Sequence, residues 1–274
     1  MFNNFRIMSI KNNFNKIKNE TFGYKKYIDF YDNYLLEILH GLNIGTGGSI
    51  NGDGEIEVIK YLISKLDSRA AYPIIFDVGA NIGNYTKALL DNFGDNCIIH
   101  SFEPVKKTFK KLSENNFGKN VFLHNFAFSS TEGVSKIYTN SETSGLASLS
   151  KRRLDHFNIH MDIEENIELN TVDSFCLSNN IDKIFFLKMD VEGYELEVLK
   201  GAENMLNNNS IEHLQFEFGG CNIDSRTFFQ DFWYLLKDKY NIYRIVKDGL
   251  YNISSYKETL EIFITTNYFA ELKK

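Results

Sequence analysis

Four acidic residues lie where predicted β-strands end: Asp77, Glu103, Asp190 and Glu217. In an open parallel sheet, ligands bind beyond the carboxyl ends of the strands. We therefore expect these four carboxyl groups to converge on one edge of the sheet. Carboxylates in such a place could accept hydrogen bonds from hydroxyl groups, hold a cation, or take a proton from a substrate.

The first predicted strand leads through the segment Asp77-Val-Gly-Ala-Asn-Ile-Gly83 into a predicted helix. Glycines here allow the backbone to approach a ligand closely and direct helix N-terminal amides at an anionic group. The spacing of Gly79 and Gly83 fits neither a G-x-G-x-x-G dinucleotide loop nor a phosphate loop, which needs Lys followed by Ser or Thr. The pattern instead fits a loop that holds the ammonium and carboxylate of an amino acid, as at the methionine end of S-adenosylmethionine.

Glu103 follows the second predicted strand, 26 positions after Asp77. An acidic side chain in this place can accept two hydrogen bonds from a ribose diol. The third strand ends near Phe126 and Ala127, which could cover the face of an adenine. These features predict an adenosine-containing cofactor; the alternative is that the glycine segment is only a tight turn.

Apolar strand-like runs alternate with helical patterns from residue 74 onward. This alternation predicts an α/β domain with a mostly parallel sheet and helices on both faces. No helical pattern separates the last two strands, so we expect them to form an antiparallel hairpin at the sheet edge. The predicted strands are 74–76, 97–102, 121–128, 133–140, 184–189, 211–218, 242–247 and 260–266, and the predicted helices are 24–40, 56–66, 83–93, 105–115, 171–179, 194–206 and 226–238.

Two segments fall outside this alternation. Residues 1–70 are predicted to form an N-terminal helical extension that contains a glycine-rich loop at 41–54. The density of glycines in this loop suggests a lid that closes over the cofactor. Residues 71–274 are predicted to form one catalytic domain, in which the polar segment 141–166 is an acceptor-side loop or insertion.

Three segments resemble the FkbM family of S-adenosylmethionine-dependent methyltransferases: IIFDVGANIGNYT, HSFEP and FLKMDVEGYELEVLKGA. The resemblance covers residues 73–249. It implies a class I methyltransferase (Rossmann-like) fold, with a seven-stranded sheet whose last strand is antiparallel. It also implies O-methylation of a hydroxyl group on a sugar, a glycan precursor or a polyketide-type natural product, with S-adenosyl-L-homocysteine as the cofactor product.

The resemblance also assigns positions to the cofactor site. The segment from Asp77 to Gly83 matches the family's cofactor loop, and Glu103 matches its ribose-binding acid. The full set of predicted cofactor-binding residues is Asp77, Gly79, Ala80, Asn81, Gly83, Asn84, Glu103, Phe126, Ala127 and Asp190.

Methyl transfer from a sulfonium requires the enzyme to align the acceptor oxygen and exclude water. A hydroxyl is a poor nucleophile until it loses its proton, and a positioned base accelerates that loss by roughly 10²–10⁴-fold. The predicted catalytic residues are Asp190, Glu192 and Glu217, with His124 as a further candidate.

Each candidate also has a structural alternative. Asp190 could cap the helix that begins near Gly193, and Glu192 could be a solvated acid in the first turn of that helix. Glu217 could be satisfied by a salt bridge, and His124 could be a core histidine. The three acids together could hold Mg²⁺, although we expect no required metal.

A cationic segment lies within the predicted insertion. It could be a solvated face or could bind a phosphate on an activated glycan. Its members are Lys151, Arg152, Arg153, His156 and His160.

Composition limits the remaining functions. The 274 residues carry 30 basic and 36 acidic side chains, a net charge of −6 without a basic stripe, which argues against nucleic acid as a partner. No apolar run approaches the roughly 18 residues of a membrane span. Cys97, Cys176 and Cys221 form no CxxC pair and are expected to be reduced thiols of a cytoplasmic protein.

Three alternatives concern the enzyme class, the presence of catalysis and the oligomeric state. The missing G-x-G disfavours a nicotinamide oxidoreductase. A non-catalytic cofactor-binding module is the alternative to an enzyme, and a homodimer is compatible with the sequence.

Overall fold

Residue 18 and residues 20–46, 52–66 and 72–274 are described by the computed structural model. The other positions lie outside the described residues. They include most of the start of the predicted extension and the centre of the predicted glycine-rich lid, so the lid stays a prediction.

The first of two compact units is Met1–Gly45. Its described part forms a 3₁₀ turn at Lys25–Tyr27 followed by helix α1 at Ile28–Gly41. These elements agree with the helical pattern predicted over 24–40. Neither α1 nor any other helix in the described parts of the chain has the length and apolar character needed to cross a membrane.

The second unit, Thr46–Lys274, contains the sheets and the acidic residues that the sequence singles out. It begins with helix α2 at Glu55–Ser64. Its remaining helices are α3 (Asn84–Phe93), α4 (Lys106–Ser113), α5 (Val172–Ser178), α6 (Glu195–Lys200), α7 (Glu203–Asn207), α8 (Cys221–Ser225) and α9 (Phe229–Leu236). Its strands are β1 (Ile74–Val78), β2 (Ile98–Phe102), β3 (Val121–His124), β4 (Ala127–Phe128), β5 (Gly133–Thr139), β6 (Ile163–Asn170), β7 (Ile184–Met189), β8 (Ile211–Phe218), β9 (Tyr240–Val246), β10 (Gly249–Ile253) and β11 (Thr266–Leu272).

The main sheet has eight strands in the order β10-β9-β11-β8-β7-β1-β2-β3. The strands from β8 to β3 are parallel, whereas β11 is antiparallel to both β8 and β9. The predicted fold is therefore confirmed: this is the mostly parallel sheet of a class I methyltransferase with an antiparallel last strand. The sheet has eight strands rather than seven because β10 adds to the edge as a hairpin with β9.

The predicted last strand, 260–266, is wrong. Residues Glu258–Leu260 form a 3₁₀ turn, and β11 starts only at Thr266. Instead of lying at the edge, β11 is inserted between β8 and β9, which buries Tyr268 and Phe269 on the two faces of the sheet. Local strand propensity near residue 262 was therefore outweighed by pairing of the next segment with two neighbours.

A second, three-stranded sheet has the order β4-β6-β5. Two predictions are corrected here. The run predicted as one strand at 121–128 divides into β3 and β4, because the Asn125 side chain donates hydrogen bonds to the carbonyls of Glu103 and Pro104 at 2.9 and 3.0 Å and turns the chain. The segment predicted as a loop at 141–166 ends in the first residues of β6, which pairs antiparallel with β5.

Helices cover both faces of the main sheet, as predicted. One core cluster joins α2 and α3 to strand residues such as Ile75 and Phe186. The opposite cluster joins α5, α6, α7 and α9 to residues such as Leu187 and Phe216. All six side chains of β7 are buried, which is expected for the centre of a doubly covered sheet.

Gly79, at the end of β1, packs directly against the end of β7. Its φ is +83°, and a Cβ added there would lie 1.9 Å from the carbonyl oxygen of Asp190. Gly118 has nearly the same φ, +85°, but an added Cβ would meet no atom within 4 Å. The two glycines therefore separate the cost of backbone conformation from the cost of steric overlap.

We predict that Gly79→Ala lowers the free energy of unfolding by about 3 kcal/mol or more, because backbone strain and overpacking add. Gly118→Ala should lose only about 1 kcal/mol, from the backbone conformation alone. Urea unfolding of both variants and the wild type measures the two differences. Equal losses would contradict the close contact between the ends of β1 and β7.

Candidate active site

The loop after β1 is fixed to the end of β2. The amides of Gly79 and Ala80 both donate to the carbonyl oxygen of Phe102, at 3.0 and 2.9 Å. Gly83 immediately precedes α3, and a Cβ added there would lie 2.6 Å from the ring of Phe117. The glycines that were predicted to let a ligand approach thus also let protein atoms approach.

Asn81 and Glu103 face each other across this loop. The Asn81 amide donates to Glu103 Oε2 at 3.1 Å, and the Val105 amide donates to Glu103 Oε1 at 2.8 Å. Asn81 has a φ of +50°, and its side-chain oxygen is buried with no hydrogen-bond partner among the described residues. Burial, partly offset by the two amides, raises the pKa of Glu103 to about 7.

A cavity opens beside these residues. Its walls come from the ends of β1, β2 and β7 and from the second sheet with the segment that follows β5. The described lining residues are Val78, Gly79, Asn81, Phe102, Glu103, Pro104, Phe126, Ala127, Phe128, Ile137, Ser144, Gly145, Ala147, Leu149, Asp190, Val191 and Glu192.

The predicted cofactor-binding residues divide into two groups. Those that line the cavity are Gly79, Asn81, Glu103, Phe126, Ala127 and Asp190. Those that are not among the described lining residues are Asp77, Ala80, Gly83 and Asn84. For the second group, direct contact with a cofactor remains a prediction.

Asp77 is completely buried and makes protein contacts. It accepts a hydrogen bond from Thr86 Oγ1 at 2.7 Å, and its other oxygen lies 3.6 Å from Lys188 Nζ. Lys188 also donates to Asp190 Oδ2 at 3.2 Å. Burial lowers the pKa of Lys188, but the carboxylates of Asp190 and Asp77 outweigh burial and raise it, so this lysine stays charged.

Glu192 and Glu217 form a close acidic pair. One side-chain oxygen of each lies within 4.8 Å of the other and of Cys221 Sγ. Burial and the charge of Asp190 raise the pKa of Glu192 to about 8, against the opposing effect of Arg152, whose guanidinium forms an ion pair with Glu192. Burial, Asp190 and Glu192 raise the pKa of Glu217 well above its ordinary value. At neutral pH this pair therefore holds a proton.

The contacts of Asp190, Glu192 and Glu217 differ from the structural alternatives, which were a helix cap, a solvated acid and a salt bridge. Helix α6 is preceded by Tyr194 with no side-chain cap, and Asp190 bonds Lys188 instead. Glu192 is mostly buried rather than solvated, and within residues 72–274 Glu217 has no salt bridge. The carboxyl groups are brought together at the ends of β7 and β8, on one edge of the sheet.

His124 is a core histidine. Its Nε2 lies 3.0 Å from Nδ1 of His100, and its ring packs on Phe102 and Phe175. Burial lowers its pKa to about 4. An imidazole with so low a pKa is a weak base, and His124 is not among the described residues that line the cavity.

The donor set is a poor fit for a metal ion. Glu192, Glu217 and Cys221 are close enough to share an ion, but Arg152 already supplies a positive partner to Glu192. Burial raises the pKa of the Cys221 thiol, and a thiol must lose its proton to bind a metal. The Mg²⁺ alternative, which named Asp190 in place of Cys221, conflicts with the ion pair between Asp190 and Lys188.

The cationic residues of segment 151–160 make different contacts. Arg152 enters the acid cluster through Glu192. The Arg153 amide donates to Asp224 at 3.2 Å, and Lys151 lies over the ring of Tyr138. His156 and His160 are both exposed.

Several site residues were not found from the sequence. Phe128, Ile137 and the lining residues of segment 144–149 were not predicted as site residues, because their contact with the cavity depends on how the second sheet packs. Lys188 was missed although it gave a signal, since it is a single cation inside the apolar run 184–189. Glu195, which is completely buried beneath the turn that holds Glu192, resembles an ordinary first-turn acid in the sequence.

Comparison with known proteins gives one curated relative and several solved structures. The hexuronic acid methyltransferase AglP of Haloferax volcanii is 30% identical over 157 residues, which are 56% of this chain and 58% of that protein. The crystal structure of methyltransferase FkbM from Methylobacillus flagellatus is 18% identical, over 75% of this chain and 45% of that one, with a TM-score of 0.43. An O-methyltransferase from Bacillus cereus in complex with SAH is 9% identical, over 94% and 96%, with a TM-score of 0.43.

The methyltransferase FkbM domain family matches residues 77–244. This range starts at the acid that ends β1 and includes the glycine loop, Glu103, the turn after β7 and Glu217. It therefore contains all four acids that were predicted at the strand ends and covers more than half of the chain. The chain belongs to the FkbM methyltransferase family.

Proposed function

We propose that this protein is an S-adenosylmethionine-dependent O-methyltransferase that acts on a hydroxyl group of a sugar or glycan precursor. The observation that carries the proposal is the buried pair of Glu192 and Glu217 beside the cavity. With the pKa of Glu192 raised to about 8, the pair has the proton affinity that general base catalysis near neutral pH requires.

The cavity residues fit S-adenosylmethionine. Each oxygen of Glu103 accepts one backbone amide and keeps a free lone pair, so the carboxylate can still accept from both hydroxyls of a ribose. The unpartnered side-chain oxygen of Asn81 offers a further acceptor for an ammonium or hydroxyl group. Phe102 and Phe126 supply apolar surface for an adenine.

The residues of this chain then have defined tasks. When bound, the cofactor supplies an electrophilic methyl group. Glu103 and Asn81 hold the nucleoside, while the cavity walls exclude water. The Glu192–Glu217 pair takes the hydroxyl proton as the new oxygen–carbon bond forms and the sulfur–carbon bond breaks, leaving a methyl ether and a neutral thioether. Asp190 remains a candidate for cofactor or acceptor contact, since its side chain is partly exposed in the cavity.

The acidic surroundings favour a neutral oxygen as the methyl acceptor. Asp190 and the ionised member of the Glu192–Glu217 pair would repel an incoming carboxylate, whereas a hydroxyl can donate its hydrogen to an ionised carboxylate. The relative that acts on a hexuronic acid supports a sugar acceptor here. A hexuronic acid carries both kinds of oxygen, and the charge of this site favours its hydroxyl groups.

We predict that at about pH 8.5, where Glu103 with its pKa of about 7 is charged, Glu103→Gln weakens binding of S-adenosylhomocysteine by about 1.5–3 kcal/mol, because a charged acceptor for the ribose is lost. Isothermal titration calorimetry measures the difference from the wild type, with Glu103→Ala as the more severe variant. The exposed residue Glu132 gives a matched control, Glu132→Gln. Thermal melting must accompany the titration because Glu103 also holds the amides of Asn81 and Val105. Unchanged affinity in a folded Glu103→Gln variant would contradict the assigned cofactor site.

We predict that Glu192→Gln lowers kcat for transfer of a labelled methyl group to a sugar hydroxyl by roughly 10²–10⁴-fold, through loss of the base. For the wild type, kcat should rise with pH through about 8, since the group must lose its proton to act. In Asp190→Asn the midpoint should move to lower pH, because the neighbouring negative charge that raises the pKa of Glu192 is removed. Rates at several pH values, with glucosides and glucuronosides as acceptors, test these expectations.

The chemical nature of the product provides the control. A methyl ether survives mild alkali, whereas a methyl ester is hydrolysed. An alkali-labile product, or a Glu192→Gln variant with wild-type kcat, would contradict hydroxyl methylation assisted by this acid pair.

A further inference from the structure

We propose that Glu195 and Ser148 are positioning residues that fix Glu192 for its part in methyl transfer. The inference rests on the proposed function, in which Glu192 belongs to the base. Neither residue lines the cavity among the described residues, so both would act through Glu192 rather than on the substrate.

Glu192 occupies a backbone conformation that its residue type disfavours. Its φ is +54°, in the left-handed region, and the following Gly193 has a φ of +96°. A residue other than glycine in this region costs roughly 1–2 kcal/mol. Such a conformation persists only where the surroundings hold it, and conformations of this kind cluster at functional sites.

Glu195 accepts hydrogen bonds from the backbone amides of the two residues that flank Glu192. Its Oε1 accepts from the Val191 amide at 2.9 Å and from the Gly193 amide at 3.2 Å. The side chain is completely buried at the start of α6. One carboxylate oxygen thereby satisfies two amides of the turn that no regular secondary structure would satisfy.

Ser148 holds the same residue from the opposite direction. Its hydroxyl donates to the carbonyl oxygen of Glu192 at 2.7 Å. The Ser148 backbone is itself paired with Tyr138 of β5, at 2.8 and 3.0 Å. Arg152, four residues further along, forms the ion pair with the Glu192 carboxylate. The segment after β5 therefore holds both the backbone and the side chain of Glu192.

The turn also packs closely against the start of α8, the helix that follows β8. A Cβ added to Gly193 would lie 2.8 Å from the carbonyl oxygen of Cys221. One side-chain oxygen of Glu192 and one of Glu217 lie within 4.8 Å of each other. By holding the turn, Glu195 and Ser148 keep Glu192 beside Glu217.

Glu195 acts here as a hydrogen-bond acceptor through one oxygen. Its other oxygen is buried with no hydrogen-bond partner among the described residues. Glutamine keeps the accepting oxygen and nearly the same shape, whereas alanine removes the acceptor. Comparison of Glu195→Gln with Glu195→Ala therefore shows whether Glu195 acts as a hydrogen-bond acceptor or through its negative charge.

The test measures kcat, KM for the cofactor and the pH profile of methyl transfer in four variants. We expect Glu195→Ala to lower kcat by about 10- to 100-fold, as a misplaced catalytic group does, with KM for the cofactor changed less than about twofold. Glu195→Gln should restore kcat to within about threefold of the wild type. Ser148→Ala should lower kcat and shift the pH profile to lower pH. The control is Ser150→Ala, which should match the wild type because the Ser150 hydroxyl makes no hydrogen bond in the described residues.

A second readout does not depend on activity. In protein labelled with ¹³C at glutamate carboxyls, the Glu192 signal, assigned by its absence in Glu192→Gln, should titrate at high pH in the wild type. It should titrate at lower pH in Ser148→Ala and Glu195→Ala, because Glu192 then turns towards solvent. This shift would support the positioning role even if the wild type methylated no hydroxyl, so the two proposals can fail separately.

Two results would overturn the inference. One is an unchanged Glu192 titration and an unchanged pH profile in Ser148→Ala, the variant that replaces a single hydroxyl and decides the matter if Glu195→Ala does not fold. The other is a folded Glu195→Gln variant as impaired as Glu195→Ala, which would assign Glu195 a role through its charge.

Discussion

A buried ammonium group joins the ends of the two central strands, β1 and β7. Lys188 Nζ lies 3.2 Å from Asp190 Oδ2 and 3.6 Å from Asp77 Oδ1, above the ring of Tyr85. Adjacent parallel strands that both end in acids would otherwise place like charges together in a poorly solvated site. Removing one partner from such a buried pair typically costs about 3–5 kcal/mol. The acidic edge of the sheet depends on this cation.

The second cation of the site, Arg152, comes from outside the main sheet. The small sheet of β4, β5 and β6 carries the segment that pairs Arg152 with Glu192 and forms one wall of the cavity. The main sheet thus supplies the loop from Asp77 to Gly83 and the acids, and the small sheet forms one wall of the cavity and carries the segment that holds one acid.

Much of the fold could be predicted because it follows from local patterns. Apolar runs such as 184–189 and the alternation with helices indicated the parallel sheet, and the acids after each run indicated its functional edge. The position of β11 could not be predicted, because two segments of similar strand propensity competed and pairing with β8 and β9 decided between them. The pairing of β6 with β5 was not predicted either, because acidic residues on the solvent-facing side of β6 obscured its alternation of apolar and polar residues.

For the site, the sequence by itself determined which residue types end each strand, and hence the family, the loop from Asp77 to Gly83 and the acids Glu103, Asp190 and Glu217. Only the tertiary structure decided which of them face the cavity, that Glu192 pairs with both Arg152 and Glu217, and that Glu195 and Ser148 hold it. The physical reason is that proton affinity depends on burial and on charges a few ångströms away, and those neighbours come from segments distant in the chain. The types of chemical group are local information, whereas their distances and solvation arise from packing.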